Sequence, residues 1–162
     1  KYDQLIRAAG SKDLTSIIDL QRDVKPLAEK VIQMGTKIAV IKCGVPGIYY
    51  KTADSAKISI LENKLGFSLG GWPSCEGFEA SYKPDHVVSA TGAGDVTIAA
   101  FLTALLSEYS LERCLKFATA VGACCVGAYD SLSGLKSFQD IQEKIDAGWK
   151  KNEMTGQKRH LD

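Results

Sequence analysis

Residues 95–108 read Asp-Val-Thr-Ile-Ala-Ala-Phe-Leu-Thr-Ala-Leu-Leu-Ser-Glu, a helical stretch that is apolar nearly all round. A helix of that kind is satisfied only when other elements cover it on several sides, which calls for a layered core. The residues before it are as telling. Ser89-Ala90-Thr91-Gly92-Ala93-Gly94 is a small, flexible run, and a single carboxylate, Asp95, stands where the helix begins. The first N–H groups of a helix lack intrahelical partners and point outward, which makes a ready anion site. Glycines let such a backbone approach a phosphate closely, because no Cβ intervenes. A carboxylate there would repel a phosphate as a ligand, but it suits a base that deprotonates a nucleophile attacking that phosphate.

The same residues admit a plainer reading. An Asp at a helix start is a common cap that stabilises by about 0.5–2 kcal/mol without chemistry. Gly92-Ala93-Gly94 also serves as a tight strand-to-helix turn. A dinucleotide fingerprint would need glycine at Thr97, and no Walker-type G-x-x-x-x-G-K-[ST] occurs in the chain. Anion chemistry and simple capping are both open at this point.

At 162 residues the chain makes one domain with a core of its own. A hydrophobic fraction of 45%, a charged fraction of 24% and a net charge of +1 fit a globular protein with no general pull toward nucleic acid or anionic membrane. The one basic cluster, Lys150, Lys151, Lys158, Arg159 and His160, reads as a solvated tail. No apolar run reaches the ~18 residues of a membrane span, and no signal pattern opens the chain. Five cysteines, odd in number and without C-x-x-C spacing, read as reduced core thiols in a cytoplasmic protein.

Periodicity places helices over 2–9 and 23–34, the second stopped by Gly35. A buried strand over 37–43 turns at Gly44-Val45-Pro46-Gly47 into a second, antiparallel strand over 48–52. Gly66, Gly70, Gly71 and Pro73 break residues 53–84 into short pieces, with strands expected near 78–82 and 86–89. Helices follow over 95–108, 111–128 and 139–151. The small residues Ala118, Ala120, Gly122 and Ala123 allow the second of these to pack closely on a neighbour. Strands interleaved with helices point to an α/β layer architecture.

Taken together, these segments resemble the ribokinase-like (PfkB) family of carbohydrate kinases. Thr91-Gly92-Ala93-Gly94-Asp95, followed by Ala99-Ala100-Phe101, is similar to that family's C-terminal signature. Lys42-Cys43-Gly44-Val45-Pro46-Gly47 falls where the family turns over the nucleotide. The run from Ala118 to Cys125 resembles the helix that flanks adenine, and the loop over 130–135 follows it in order. The resemblance implies a three-layer α/β/α, Rossmann-like core, with residues 1–162 as the C-terminal nucleotide-binding and catalytic portion. It implies Asp95 as general base, with Gly92, Ala93 and Gly94 holding the charge that develops on the transferred phosphoryl group. It further implies ATP contacts from Lys42, Gly44, Gly47, Thr91, Gly94, Thr119, Ala123 and Ser133, and Mg2+ bridging the nucleotide phosphates.

The departures define the rest. Ser89-Ala90 stands where the family usually has Asp-Thr, so the monovalent cation of some members does not carry over. Thr119 replaces an asparagine that often contacts adenine. The Asn-x-x-Glu motif that organises magnesium is absent, as Asn63 and Asn152 both lack a Glu three residues on, and no metal ligand is assigned in this chain. The resemblance therefore implies an incomplete kinase, inactive alone, whose partners are ATP or ADP, a small sugar or sugar acid, and an N-terminal half bearing the sugar pocket and lid. It leaves a homodimer open. A non-catalytic nucleotide-binding or regulatory module of the same fold is the competing reading. Plain roles are expected for His86, on a partly exposed strand, and for Trp72 and Trp149, packed at a surface; Lys42 reads either as a phosphate contact or as a strand-end cation in water.

Overall fold

Strict alternation of apolar side chains along two short strands builds the centre of this computed structural model, which describes residues 18–153 together with Arg7, Gly10 and Thr15. Strand β1 (Ile38–Lys42) pairs antiparallel with β2 (Gly47–Thr52), and β2 pairs antiparallel with β3 (Glu76–Ala80), in the order β1-β2-β3. The period of two divides the sheet into an Ile38, Val40, Ile48 and Tyr50 face and an Ala39, Ile41, Tyr49 and Phe78 face. Helices cover both. On the second face, a π-helical turn (Leu20–Val24) runs into α1 (Lys25–Gln33), which buries Val24, Ala28 and Ile32 against Ala39 and Tyr49. The first face belongs to a larger core shared with α2 (Ser55–Leu65), α3 (Ala93–Leu106), α4 (Leu111–Cys125) and α5 (Phe138–Asp146).

Several boundaries differ from the sequence reading, each for a local reason. Residues 55–65 form a full helix where only short pieces were expected. The Asp54 side chain accepts from the Lys57 N–H at 3.0 Å to start it, and left-handed Gly66 (φ 81°) ends it. No strand forms over 86–89. The N–H groups of Val88 and Ser89 donate instead to the Val126 carbonyl at 2.8 and 3.3 Å, and His86 Nε2 lies 2.9 Å from the Gly127 carbonyl. Carbonyls beyond the end of a helix need donors, and this segment supplies them. Trp72 is not at a surface: it is 2% exposed, edge-on to Phe101 with ring centroids 6.2 Å apart. Trp149 stacks on Tyr82 at 4.7 Å. Helix α3 packs Val96, Ala100, Phe101, Ala104 and Leu105 inward but leaves Leu102 and Leu106 48% and 65% exposed, so among the described residues it is covered on one side only. The helix expected over 2–9, apart from Arg7, and Lys158, Arg159 and His160 lie outside the described residues.

Close packing of α3 on α4 is what the small residues provide. A Cβ at Gly122 would come within 2.5 Å of Thr97 Oγ1, whose hydroxyl already donates to the Ala93 carbonyl at 2.6 Å. The first turn of α3 is therefore set directly on α4. No described helix is long and apolar enough to cross a membrane, and the five cysteines are all free.

Candidate phosphate-binding site

The loop before α3 is shaped by its glycines. Gly92 is the N-cap residue, left-handed at φ 77°, and its carbonyl accepts from the N–H groups of Asp95 at 2.9 Å and Val96 at 3.0 Å. Ser89 Oγ accepts from the Thr91 N–H at 3.2 Å, and the Ala93 N–H donates to the Ala90 carbonyl at 3.3 Å. Among the described residues, the N–H groups of Gly92 and Gly94 have no hydrogen-bond acceptor, the open-donor arrangement that an anion requires. Asp95 lies in the first turn of α3, exposed, and its carboxylate makes no hydrogen bond or ion pair within the described structure. The cap belongs to Gly92, so Asp95 makes no capping hydrogen bond and meets the helix only through its charge in the first turn.

Three other segments converge here. Lys42, the last residue of β1, brings its ammonium so close to Gly94 that a Cβ there would stand 2.6 Å from Nζ. No carboxylate among the described residues pairs with it. The loop over 130–135 presses on the other side, where a Cβ on Gly92 would overlap the Ser131 side chain. Beneath both loops, the buried Cys125 thiol lies 3.8 Å from the Thr91 carbonyl and 3.6 Å from that of Ser131.

The remaining candidate residues divide clearly. Gly47 and Gly44 shape the β1–β2 turn, with the Gly47 N–H donating to the Gly44 carbonyl at 3.1 Å. Gly47, at φ 138°, has the β3 backbone where a side chain would be. Ala123 lines a cavity of about 110 Å³ with His86, Cys124, Gly127, Gly134 and Lys136. Thr119 is only 4% exposed, and its hydroxyl donates to the carbonyls of Leu115 and Lys116, each at 3.1 Å. It has neither surface nor a free proton to offer a base. Ser133 is exposed, with its N–H and its hydroxyl both given to Asp130, at 2.7 and 2.5 Å. Hydrogen bonds from the Ser133 hydroxyl and then from the N–H groups of Ser133 and Leu132 hold the Asp130 carboxyl down at about 2. Ser131, which presents no sequence signal beyond its place in a polar loop, is the hydroxyl residue that meets the phosphate loop. A larger groove of about 430 Å³ between α4 and α5, lined by Arg113, Lys116 and Gln142, shares no residue with this site.

A three-stranded sheet covered by helices on both faces, with a glycine loop opening α3, defines a mixed α/β protein. Residues 7–137 match the description "pfkB family carbohydrate kinase", and the chain belongs to that family. It is 30% identical over 120 residues to an uncharacterized sugar kinase of Archaeoglobus fulgidus, covering 73% of this chain and 39% of the relative. It is 29% identical over 138 residues to a 5-dehydro-2-deoxygluconokinase of Listeria monocytogenes, covering 84% and 36%. The fold matches that of an Arabidopsis thaliana ribokinase complexed with ribose and ATP, with a TM-score of 0.59 at 22% identity, over 87% of this chain and 38% of that one. The chain thus spans well under half the length of each of these proteins.

Proposed function

We propose that this chain is the nucleotide-binding and catalytic portion of a sugar or sugar-acid kinase, completing the C-terminal part of a three-layer α/β/α, ribokinase-like core. The observation that carries the reading is the pairing at one helix start of open N–H donors with an Asp95 carboxylate that has no structural partner. In this scheme a substrate hydroxyl attacks the γ-phosphorus of ATP, Asp95 takes the hydroxyl proton, and ADP leaves with the electrons of the broken P–O bond. The N–H groups of Gly92 and Gly94, backed by the α3 dipole, meet the charge on the equatorial oxygens, and Ala93 holds their spacing. Lys42 adds a mobile positive charge beside Gly94. Because such a transition state is loose, position and charge account for most of the rate gain.

The nucleobase sits in the cavity at Ala123, against the end of α4. Thr91 shapes the loop, its N–H donating to Ser89 Oγ and its carbonyl accepting from the Cys125 thiol, and Gly44 and Gly47 contribute the turn that carries β1 and Lys42 to the loop. Thr119 and Ser133 act as framework in this scheme, their hydroxyls being spent inside the protein.

No group of three or more His, Cys, Asp or Glu side chains stands together among the described residues, so no step here is routed through a metal. A longer protein would supply metal ligands, the sugar pocket and a cover for the Leu102–Leu106 side of α3. On this reading the 162-residue chain alone does not turn over.

The test is a coupled ADP-release assay on the intact kinase across sugars and sugar acids, with Asp95→Asn beside it. Turnover with the parent and a loss of at least ~10² in kcat at near-normal ATP affinity supports the scheme. An unchanged kcat in the variant returns Asp95 to an electrostatic helix residue. A parent that binds ATP but phosphorylates nothing makes the chain a regulatory module.

A further inference from the structure

Gly92 has to hold a left-handed conformation for its N–H to point out of the loop, and a flexible glycine does not hold one unaided. Its neighbour across space is Ser131. The Ser131 side chain occupies the volume that a Cβ on Gly92 would need, and Ser131 Cα lies 3.2 Å from that same point. The Ser131 hydroxyl makes no hydrogen bond among the described residues, so the contact is one of packing.

Ser131 is itself anchored twice. Asp130 gathers the N–H groups of Leu132 and Ser133 at 2.8 and 2.7 Å, which closes the loop just after Ser131. Cys125 Sγ then lies between the Ser131 and Thr91 carbonyls, at 3.6 and 3.8 Å, so one buried thiol touches both loops. Burial and, next, the nearby Asp130 push this thiol up, which keeps it a donor. Gly134 completes the fit, because any side chain there would meet the Cys124 carbonyl at 2.6 Å.

We infer that Ser131 is a positioning residue for phosphoryl transfer: its side chain, held by Asp130 and Cys125, latches Gly92 in the conformation that aims the loop's N–H groups. The latch acts through Gly92 and not on the substrate. It rests on the phosphate-site reading of residues 91–95, and it assigns a role in that site to a loop residue otherwise without one.

The experiment compares Ser131→Gly, which removes the packing atoms, with Ser131→Ala, which keeps the Cβ, in the intact kinase. Ser131→Gly should lower kcat about tenfold or more with KM for ATP within about twofold, the pattern of an interaction needed in the transition state alone. Ser131→Ala should recover most of that loss. In parallel, amide hydrogen exchange at Ala93, Asp95 and Val96, whose N–H groups are bonded to the Ala90 and Gly92 carbonyls, should quicken about tenfold in Ser131→Gly, with the thermal midpoint of the whole protein little changed.

The exchange measurement stands apart from catalysis. If the parent proves not to be a kinase, faster exchange still supports the latch and only the function above fails. Exchange and kcat both within twofold of the parent would overturn the latch. An Ala variant as impaired as Gly would overturn it too, by making the hydroxyl a substrate contact.

Discussion

A lysine at the end of a strand ordinarily leaves its head in water, and exposed Lys42 does so while lying over Gly94. The side chain runs from the edge of the sheet to the start of α3 and finds no carboxylate there among the described residues. On the proposed function, this cation and the open N–H donors beside it would meet the same anion. Lys42→Met keeps the length and removes the charge. It should weaken ATP binding about tenfold or more, since a hydrogen bond to a charged group contributes about 1.5–3 kcal/mol, and isothermal titration of the intact kinase with ATP reads this directly. An unchanged affinity would leave Lys42 as a solvated strand end. The residue scale is also where sequence reasoning stops short. The turn at Gly92 and the helix start beside Asp95 were legible because a glycine loop and an apolar run are written in consecutive residues. Lys42 was read first as a strand end in water and second as a phosphate contact, as its reach depends on the β1–β2 turn. Thr119, Ser131 and Ser133 were not legible at all: only packing decides which hydroxyl is spent on the backbone and which side chain meets Gly92.

Elements follow the same division. Helices α3 and α4 were legible from their apolar runs, and the β1–β2 hairpin from β-branched runs around a Gly-Val-Pro-Gly turn. Helix α2 was missed although both its punctuation marks are present. Asp54 starts it and Gly66 stops it, yet Gly66 was read as a breaker within a broken region and not as a terminus. The strand expected over 86–89 failed because its N–H groups are drawn to the Val126 carbonyl, a competition that local propensity does not contain. Gly122 shows how one element positions another. On helix propensity alone, Gly122→Ala should stabilise α4 by about 0.8–1.0 kcal/mol. The added methyl, however, meets Thr97 Oγ1 at 2.5 Å and must either turn that hydroxyl off the Ala93 carbonyl or move α3 outward. Overpacking of this kind costs about 1–3 kcal/mol, so the net change should be destabilising, read as a lower urea midpoint at unchanged m-value. A higher midpoint would mean that α3 yields freely and that α4 does not fix the loop.

At the scale of the whole molecule, the two faces of one thin sheet carry separate cores, and something must tie the smaller α1 side to the strands. Glu76 does so. It accepts from Tyr49 and Lys51 on β2 and pairs with Lys25 of α1 at 3.3 Å. Burial alone would raise its carboxyl, but the hydrogen bonds from Lys51, Tyr49 and Lys25 outweigh burial and hold it at about 2, below the ordinary 4.5. The sign of the linkage follows. The folded state binds this proton less readily than the unfolded state, so the contribution is full above about 4.5 and is lost as pH falls toward about 2. Tyr49 is shifted the other way: burial first, then Glu76, raises its phenol, so it remains a neutral donor across the same range. Glu76→Gln removes the titrating group while keeping much of the shape. Denaturant titrations of the parent and this variant between pH 6 and pH 3 should therefore converge as the medium acidifies, with the parent more stable at pH 6 and its margin shrinking below about 4.5. A margin that stays constant to pH 3 would mean that Glu76 is not the group coupling α1 to the sheet. In that case the two cores would be joined by apolar packing of Ala28 and Ile32 on Ala39 and Tyr49 alone.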